Sequence, residues 1–249
     1  MGIIGGRLAH WMLRNRAPRG AAAESFQSRS GATQLEELFG GDFFEVIRGR
    51  TVLDYGCGAG HETVEMAQHG ATRVIGLDVR ERWITRAREH ARQSGVSDRC
   101  TFVTQTEEHA DIIISKDAFE HYADPGAVLH QMSALLAPGG CVLAAFGPTW
   151  LHPYGGHLFS VFPWAHLLFT EAALIRWRSS YRSDGATRFS EVEGGLNQLT
   201  IRRFERLIRE SPLRPERLET VPIKKLGPLR LPLLREFGSS IVRCKLVHR

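Results

Sequence analysis

Between residues 51 and 146, short apolar runs alternate with stretches whose apolar residues recur every three or four positions. The runs at 51–55, 74–77, 101–103, 111–115 and 141–146 predict five strands. The fourth, Asp111-Ile112-Ile113-Ile114-Ser115, is continuous enough to be buried on both faces. Helices are expected at about 61–68, 80–94 and 125–136, the second with Trp83, Ile84, Ala87 and Ala91 at helical spacing. The third closes at Ala137-Pro138-Gly139-Gly140, a breaker followed by two permissive residues. Such β–α alternation predicts a doubly wound, mostly parallel sheet with helices on both faces.

The flanks read differently. Residues 1–50 predict a helical cap, its first helix basic and amphipathic with Ile4, Leu8, Trp11 and Met12 on one side. Residues 51–148 hold the alternating core. Residues 149–197 form an insertion in which Trp150, Tyr154, Phe159, Phe162, Trp164 and Phe169 are interrupted by Pro153 and Pro163. Insertions at the carboxyl ends of strands are where α/β enzymes place specificity, so a lid over the site is expected. An aromatic mini-core holding a long excursion onto the domain is the other reading, and the two are compatible. Residues 198–249 predict an amphipathic helix at 198–210 and strands at about 217–223 and 239–247 that complete one structural domain.

Composition narrows this picture little. A chain of 249 residues, 43% hydrophobic and 24% charged, is that of a globular protein able to bury a full core. Cys57, Cys100, Cys141 and Cys244 lie far apart without a C-x-x-C pair, which favours reduced thiols and a cytoplasmic setting over a disulfide framework. The longest apolar run, 158–169, is too short for a membrane span and carries Pro163 and His166. The net charge of +5 is uneven, with thirteen Lys or Arg against five acids from residue 201 onward. Arg202, Arg203, Arg206 and Arg209 recur at helical spacing around Phe204 and Ile208, the pattern of a solvated helix face. No aromatic-studded basic stripe accompanies them, which argues against nucleic-acid binding.

The chemistry is concentrated in Thr51-Val52-Leu53-Asp54-Tyr55-Gly56-Cys57-Gly58-Ala59-Gly60. A strand runs into a glycine loop where backbone can approach a ligand without a Cβ in the way. A second acid, Asp78, ends the next strand. Two strands ending in a glycine loop and an acid describe a nucleoside site at the carboxyl edge of a parallel sheet. The dinucleotide fingerprint G-x-G-x-x-G is the nearest competitor. Here the spacing is G-x-G-x-G, followed by His61, and Asp54 precedes the first glycine, where a carboxylate would oppose a pyrophosphate. A cationic ligand end suits Asp54 better.

This combination resembles the class I S-adenosylmethionine-dependent methyltransferases, in their small-molecule, type 11-like branch. The resemblance runs from Thr51 to about Phe146. It includes Ser115-Lys116-Asp117-Ala118-Phe119-Glu120-His121, similar to the family's fourth strand end and acid-His element, and the turn Leu135-Leu136-Ala137-Pro138-Gly139-Gly140. It implies a Rossmann-like sheet of seven strands with an antiparallel C-terminal edge. It also implies S-adenosylmethionine as cofactor and S-adenosylhomocysteine as product. The backbone around Gly56, Cys57, Gly58 and Gly60 would take the methionine end, with Asp54 holding its ammonium directly or through water. Asp78 would accept the ribose hydroxyls, since a carboxylate has two oxygens for a cis-diol. Val79 and Trp83 would pack near the adenine and ribose, and Ser115 would line the sulfonium end through its backbone. Thr104-Gln105-Thr106 stands where the family usually offers an acid or amide to the adenine amino group.

Transfer from an activated sulfonium is mainly a matter of in-line positioning. A hydroxyl acceptor benefits from a base, and His121 is the best-placed candidate, with His157 second. Trp150, Tyr154 and His157 are the residues expected nearest the acceptor. His152, His157 and His166 are spaced poorly for a metal site and have no carboxylate nearby, so no metal is expected. Ser115-Lys116-Asp117-Ala118 lacks the Pro-Pro-aromatic element of adenine and glutamine N-methylating enzymes, and no cysteine follows a proline as cytosine methylation requires. By elimination, a small molecule methylated on oxygen is expected. A cofactor-binding or interaction module without turnover and an RNA methyltransferase stay open as alternatives.

Overall fold

The computed structural model describes residues 2–16, 33–182, 184–192, 194–223 and 234–249. Among the described residues, three helices, α1 (Gly6–Leu13), α2 (Gln34–Phe39) and α3 (Phe43–Ile47), precede the core. The core runs β1 (Thr51–Tyr55), α4 (His61–Gln68), β2 (Arg73–Leu77), α5 (Glu81–Gln93), β3 (Cys100–Val103), β4 (Ala110–Lys116), α6 (Pro125–Leu135) and β5 (Leu136–Phe146). After the insertion, with α7 (Ala165–Leu168) and α8 (Glu171–Arg178), come α9 (Ile201–Glu210), β6 (Leu213–Pro222), α10 (Arg235–Gly238) and β7 (Ser239–His248). The seven strands lie in the order β3-β2-β1-β4-β5-β7-β6. β1 to β5 are mutually parallel, and β7 is antiparallel to both β5 and β6. Strand order therefore reverses between β1 and β4, which opens a crevice at their carboxyl ends.

Strand alternation sorts the core into two layers. Leu53, Ile75, Ile113, Val142 and Ala144 face the side covered by Leu129 and Met132 of α6 and Phe204 and Ile208 of α9. Their neighbours Val52, Val74, Ile112, Ile114 and Leu143 face Phe43 and Ile47 of α3, Val64 and Met66 of α4, and Ile84, Ala87 and Ala91 of α5. Both faces are thus buried, which is why the strands read as continuous apolar runs. Pro215 and Pro222 are tolerated because β6 is the sheet edge.

Two expectations are corrected. The turn at 137–140 does not delay β5. The ladder passes from Ala110↔Leu136 to Ile112↔Cys141, so these residues bulge out of a strand that has already begun, with Gly139 at φ 78°. In α1 it is Ala9 and Leu13 that are buried, while Leu8, Trp11 and Met12 are exposed; the apolar stripe read from the sequence lies on the wrong side. That helix packs against the insertion. Ile4 bridges Phe169, and Ala9 and Leu13 join Phe159, Phe169, Leu174, Trp177 and Phe189 in a third apolar cluster. The stretch 17–32, including Arg19, and residues 224–233 lie outside the described residues. No helix among the described residues is long and apolar enough to cross a membrane.

Candidate functional site

The loop after β1 turns on positive φ values at Gly56 (88°), Gly58 (51°) and Gly60 (76°). Two of the surrounding glycines are also required by packing. A Cβ on Gly60 would come within 2.9 Å of the Phe102 ring, and one on Gly76 within 2.6 Å of it, so Phe102 wedges beneath the loop between them. Gly58 is different: a Cβ there would meet nothing within 4 Å. It borders open space, as a backbone cradle for a ligand should.

The loop's amides are already engaged. Gly56 and Cys57 donate N–H to the Leu77 carbonyl at 2.8 and 3.0 Å, and Gly58 donates to Asp78 Oδ2 at 3.1 Å. A pyrophosphate needs free N–H donors, and these three are not free. A cationic group needs oxygens instead, and the acids supply them. Asp54 is 3% exposed and its Oδ2 accepts from Thr63 Oγ1 at 2.6 Å. Burial, with Glu62 nearby, pushes its carboxyl up to about 7. Cys57 is buried with its thiol pushed far up, first by burial and then by Asp54 and Asp78, so it packs and does not react.

Asp78 lies at the end of β2, 6% exposed, with both oxygens already carrying donors. Oδ1 accepts from the Arg80 backbone N–H at 2.9 Å and from its guanidinium Nε at 3.2 Å. Oδ1 thus has both lone pairs engaged, and Oδ2 receives Arg80 Nη2 at 3.5 Å beside the Gly58 amide, so a ribose would have to displace the Arg80 side chain. Val79 is 84% exposed beside it. The Trp83 ring, expected near an adenine, carries the guanidinium groups of Arg80, Arg82 and Arg86 at 5.5, 5.6 and 5.0 Å. An adenine stacked on it would have to displace one of them. Thr104 and Gln105 are exposed at the end of β3.

At the end of β4 Ser115 is fully buried, and its hydroxyl donates to Tyr122 Oη (2.9 Å), which donates in turn to the Tyr55 carbonyl at 2.8 Å. Tyr122 thereby ties β4 to the loop after β1. Nothing in the sequence pattern singled it out, although it directly follows His121. Lys116 lies between Glu62 and Asp117, 3.0 Å from each.

The insertion returns across these strand ends. Asn197 donates to the Phe119 and Tyr122 carbonyls at 2.6 and 2.8 Å. His121 Nδ1 donates to the Gly195 carbonyl at 2.7 Å, which leaves Nε2 as an acceptor. His157, at φ 49°, brings its ring within 5.2 Å of the His121 ring. The two candidate histidines, 36 positions apart in the chain, are therefore neighbours. Burial, then His121, pushes His157 down to about 4, so it is neutral at pH 7. Glu120, which the sequence reading quoted but gave no role, completes the group. It is 4% exposed, and burial with the Asp117 charge pushes it up to about 8.

The remaining insertion residues divide. The Trp150 ring, expected beside the acceptor, packs against His166 (4.7 Å) and Phe189 (5.6 Å) and belongs to the aromatic core. Tyr154 is 39% exposed, next to His152. His166 donates from Nε2 to the Trp150 carbonyl at 2.7 Å and accepts from Ser160 at 3.2 Å. His152 accepts from the Tyr154 amide at 3.0 Å. Both are neutral, pushed down to about 4 mainly by burial. They hold the insertion's own fold, beside the apolar cluster of Phe159, Phe169 and Phe189.

A family model described as a methyltransferase domain matches residues 48–148. The ubiquinone biosynthesis O-methyltransferase of Klebsiella pneumoniae is 38% identical over 115 residues, which are 41% of this chain and 46% of that protein. The chain thus spans a little under half the length of the curated relatives it matches. A solved S-adenosylmethionine-dependent methyltransferase from Mesorhizobium loti aligns with TM-score 0.51 at 17% identity, over 82% of this chain and 92% of that one. The [4+2]-cyclase SpnF aligns with TM-score 0.53 at 14% identity, over 83% and 79%. A fold shared with a cyclase says nothing of the reaction by itself.

Proposed function

We propose, from the match of residues 48–148 to a methyltransferase domain, that the chain is a class I S-adenosylmethionine-dependent enzyme that transfers a methyl group from that cofactor to an oxygen of a small molecule. The observation carrying this reading is the open backbone at Gly58 flanked by Asp54 and Asp78, with a histidine pair across the adjoining strand end. The name of the Klebsiella relative supports oxygen as the acceptor atom. The cofactor supplies a methyl group already activated by its sulfonium. The residues supply position: Asp54 for the ammonium, Asp78 for the ribose hydroxyls, and Ser115 and Tyr122 to fix the strand ends between them. His121 offers the Nε2 lone pair toward an acceptor proton, and Tyr154 and His157 border the acceptor. The insertion excludes water from the transfer.

Incubating the protein with cell extract and methyl-labelled cofactor should give a new labelled small molecule by mass spectrometry. His157→Ala should lower its formation by about 100-fold while S-adenosylhomocysteine affinity changes less than about threefold, since His157 packs against the His121 ring and misplacing a reacting group by about 1 Å costs on the order of 10²-fold. Cofactor binding with no labelled product would contradict turnover. Equal losses in affinity and rate would remove His157 from the acceptor side.

A further inference from the structure

We propose that Glu120, His121 and His157 bind a divalent cation of the zinc type, with a fourth position open to the acceptor's oxygen. The inference rests on the reading above for where the acceptor lies, and deepens it: the His121 lone pair assigned to proton transfer is a metal ligand in the loaded protein. One ligand atom from each of the three residues lies within 4.8 Å of the others. Ligands about 2.0–2.1 Å from a tetrahedral zinc stand roughly 3.3–3.4 Å apart, so binding asks for a contraction of at most about 1.5 Å, within reach of rotamer adjustment.

The donor atoms are prepared for such a role. Glu120 Oε1 accepts from the Gly147 amide at 3.2 Å, while Oε2 is buried with no partner. His157 Nε2 is likewise buried and unpartnered. His121 gives its Nδ1 proton to the Gly195 carbonyl. His121 thus donates one N–H to a backbone oxygen and turns the other nitrogen inward, the outer-shell arrangement that fixes tautomer and orientation in metal-bound histidines. Buried polar atoms without partners are uncommon, and each asks for an explanation. Two of them on adjoining side chains, beside a third lone pair, share one here. Two imidazoles and one carboxylate suit borderline divalent metals and leave a tetrahedral ion one free position. The ligands come from both the strand-four end and the insertion, so the ion would also fasten the lid. His152 and His166, whose ring nitrogens are engaged within the insertion, take no part.

Metal-stripped protein, without cofactor or acceptor, should bind one zinc ion by calorimetry. Cobalt(II) should give the intense visible absorption of a tetrahedral site. His157→Ala and Glu120→Gln should each weaken cobalt binding by about 100-fold or more, and His152→Ala should leave it unchanged. Circular dichroism confirms that the variants fold, and His157→Gln serves if His157→Ala does not. Absence of cobalt binding at 0.1 mM (about a hundred times a micromolar site) would overturn the proposal, as would binding indifferent to His157. Because this readout needs neither cofactor nor turnover, cobalt binding by a protein that ignores S-adenosylhomocysteine would sink the methyltransferase reading alone.

Discussion

Asp78→Ala should weaken S-adenosylhomocysteine binding by about 30- to 1,000-fold while thermal denaturation still shows a folded protein. The carboxylate sits at the end of β2, outside both core layers. Losing two charge-assisted hydrogen bonds to ribose hydroxyls corresponds to roughly 2–4 kcal/mol. Part of the effect comes through the protein, since Asp78 Oδ2 also receives the Gly58 amide at 3.1 Å and so shapes the cradle. Asp78→Asn separates the two contributions: it retains an acceptor for Gly58 and loses charge, and should fall between wild type and Ala. Calorimetric titration of the three proteins measures this directly. An unchanged dissociation constant in Asp78→Ala would mean that the ribose is held elsewhere.

Cofactor affinity should rise with pH, and Asp54 should be the cause. Burial raises its carboxyl to about 7 in the free protein, so below that pH the group is protonated and neutral. An ammonium group favours the carboxylate. Binding therefore expels a proton at acid pH, and affinity gains up to tenfold per pH unit until the free protein's own ionisation near 7. Between pH 5.5 and 7.5 the dissociation constant should fall by roughly 30-fold. The stability of the free protein runs the opposite way. The unfolded carboxyl ionises near 3.8 and the folded one near 7, so the folded state holds the extra proton and loses stability as pH rises through that window. Asp54→Asn should flatten both profiles. A flat affinity profile in the wild type would show that Asp54 does not meet the ammonium.

Much of this was legible in the sequence because it is carried by local pattern. The strand runs and the glycine loop depend on residues adjacent in the chain, and the burial of β1 to β5 on both faces made their apolar runs unmistakable. Asp54 and Asp78 could be aligned because strand ends in a parallel sheet share an edge. What escaped depends on tertiary contact. The stripe on α1 was misread because its partner is the insertion, and the side packed against Phe159 and Phe169 carries the small Ala9 in place of the large Trp11. Arg80 closing on Asp78, and three guanidinium groups on Trp83, follow from side-chain reach that periodicity does not encode. Glu120 was passed over because nothing in its neighbours announces that it is buried. His157 was favoured over His152 and His166 by chain position alone, in a stretch of aromatics that gives no burial signal. Only the fold separates the one that turns toward Glu120 and His121 from the two that hold the insertion together.

The central claim is that the glycine loop and Asp78 form a site for S-adenosylmethionine and not for a dinucleotide. Calorimetric titration of the purified protein with S-adenosylhomocysteine and, separately, with NAD tests it most directly. The account predicts one site for S-adenosylhomocysteine with a dissociation constant at micromolar level or below, about −8 kcal/mol or stronger, and no heat from NAD. Binding of NAD in preference, or of neither, would contradict it.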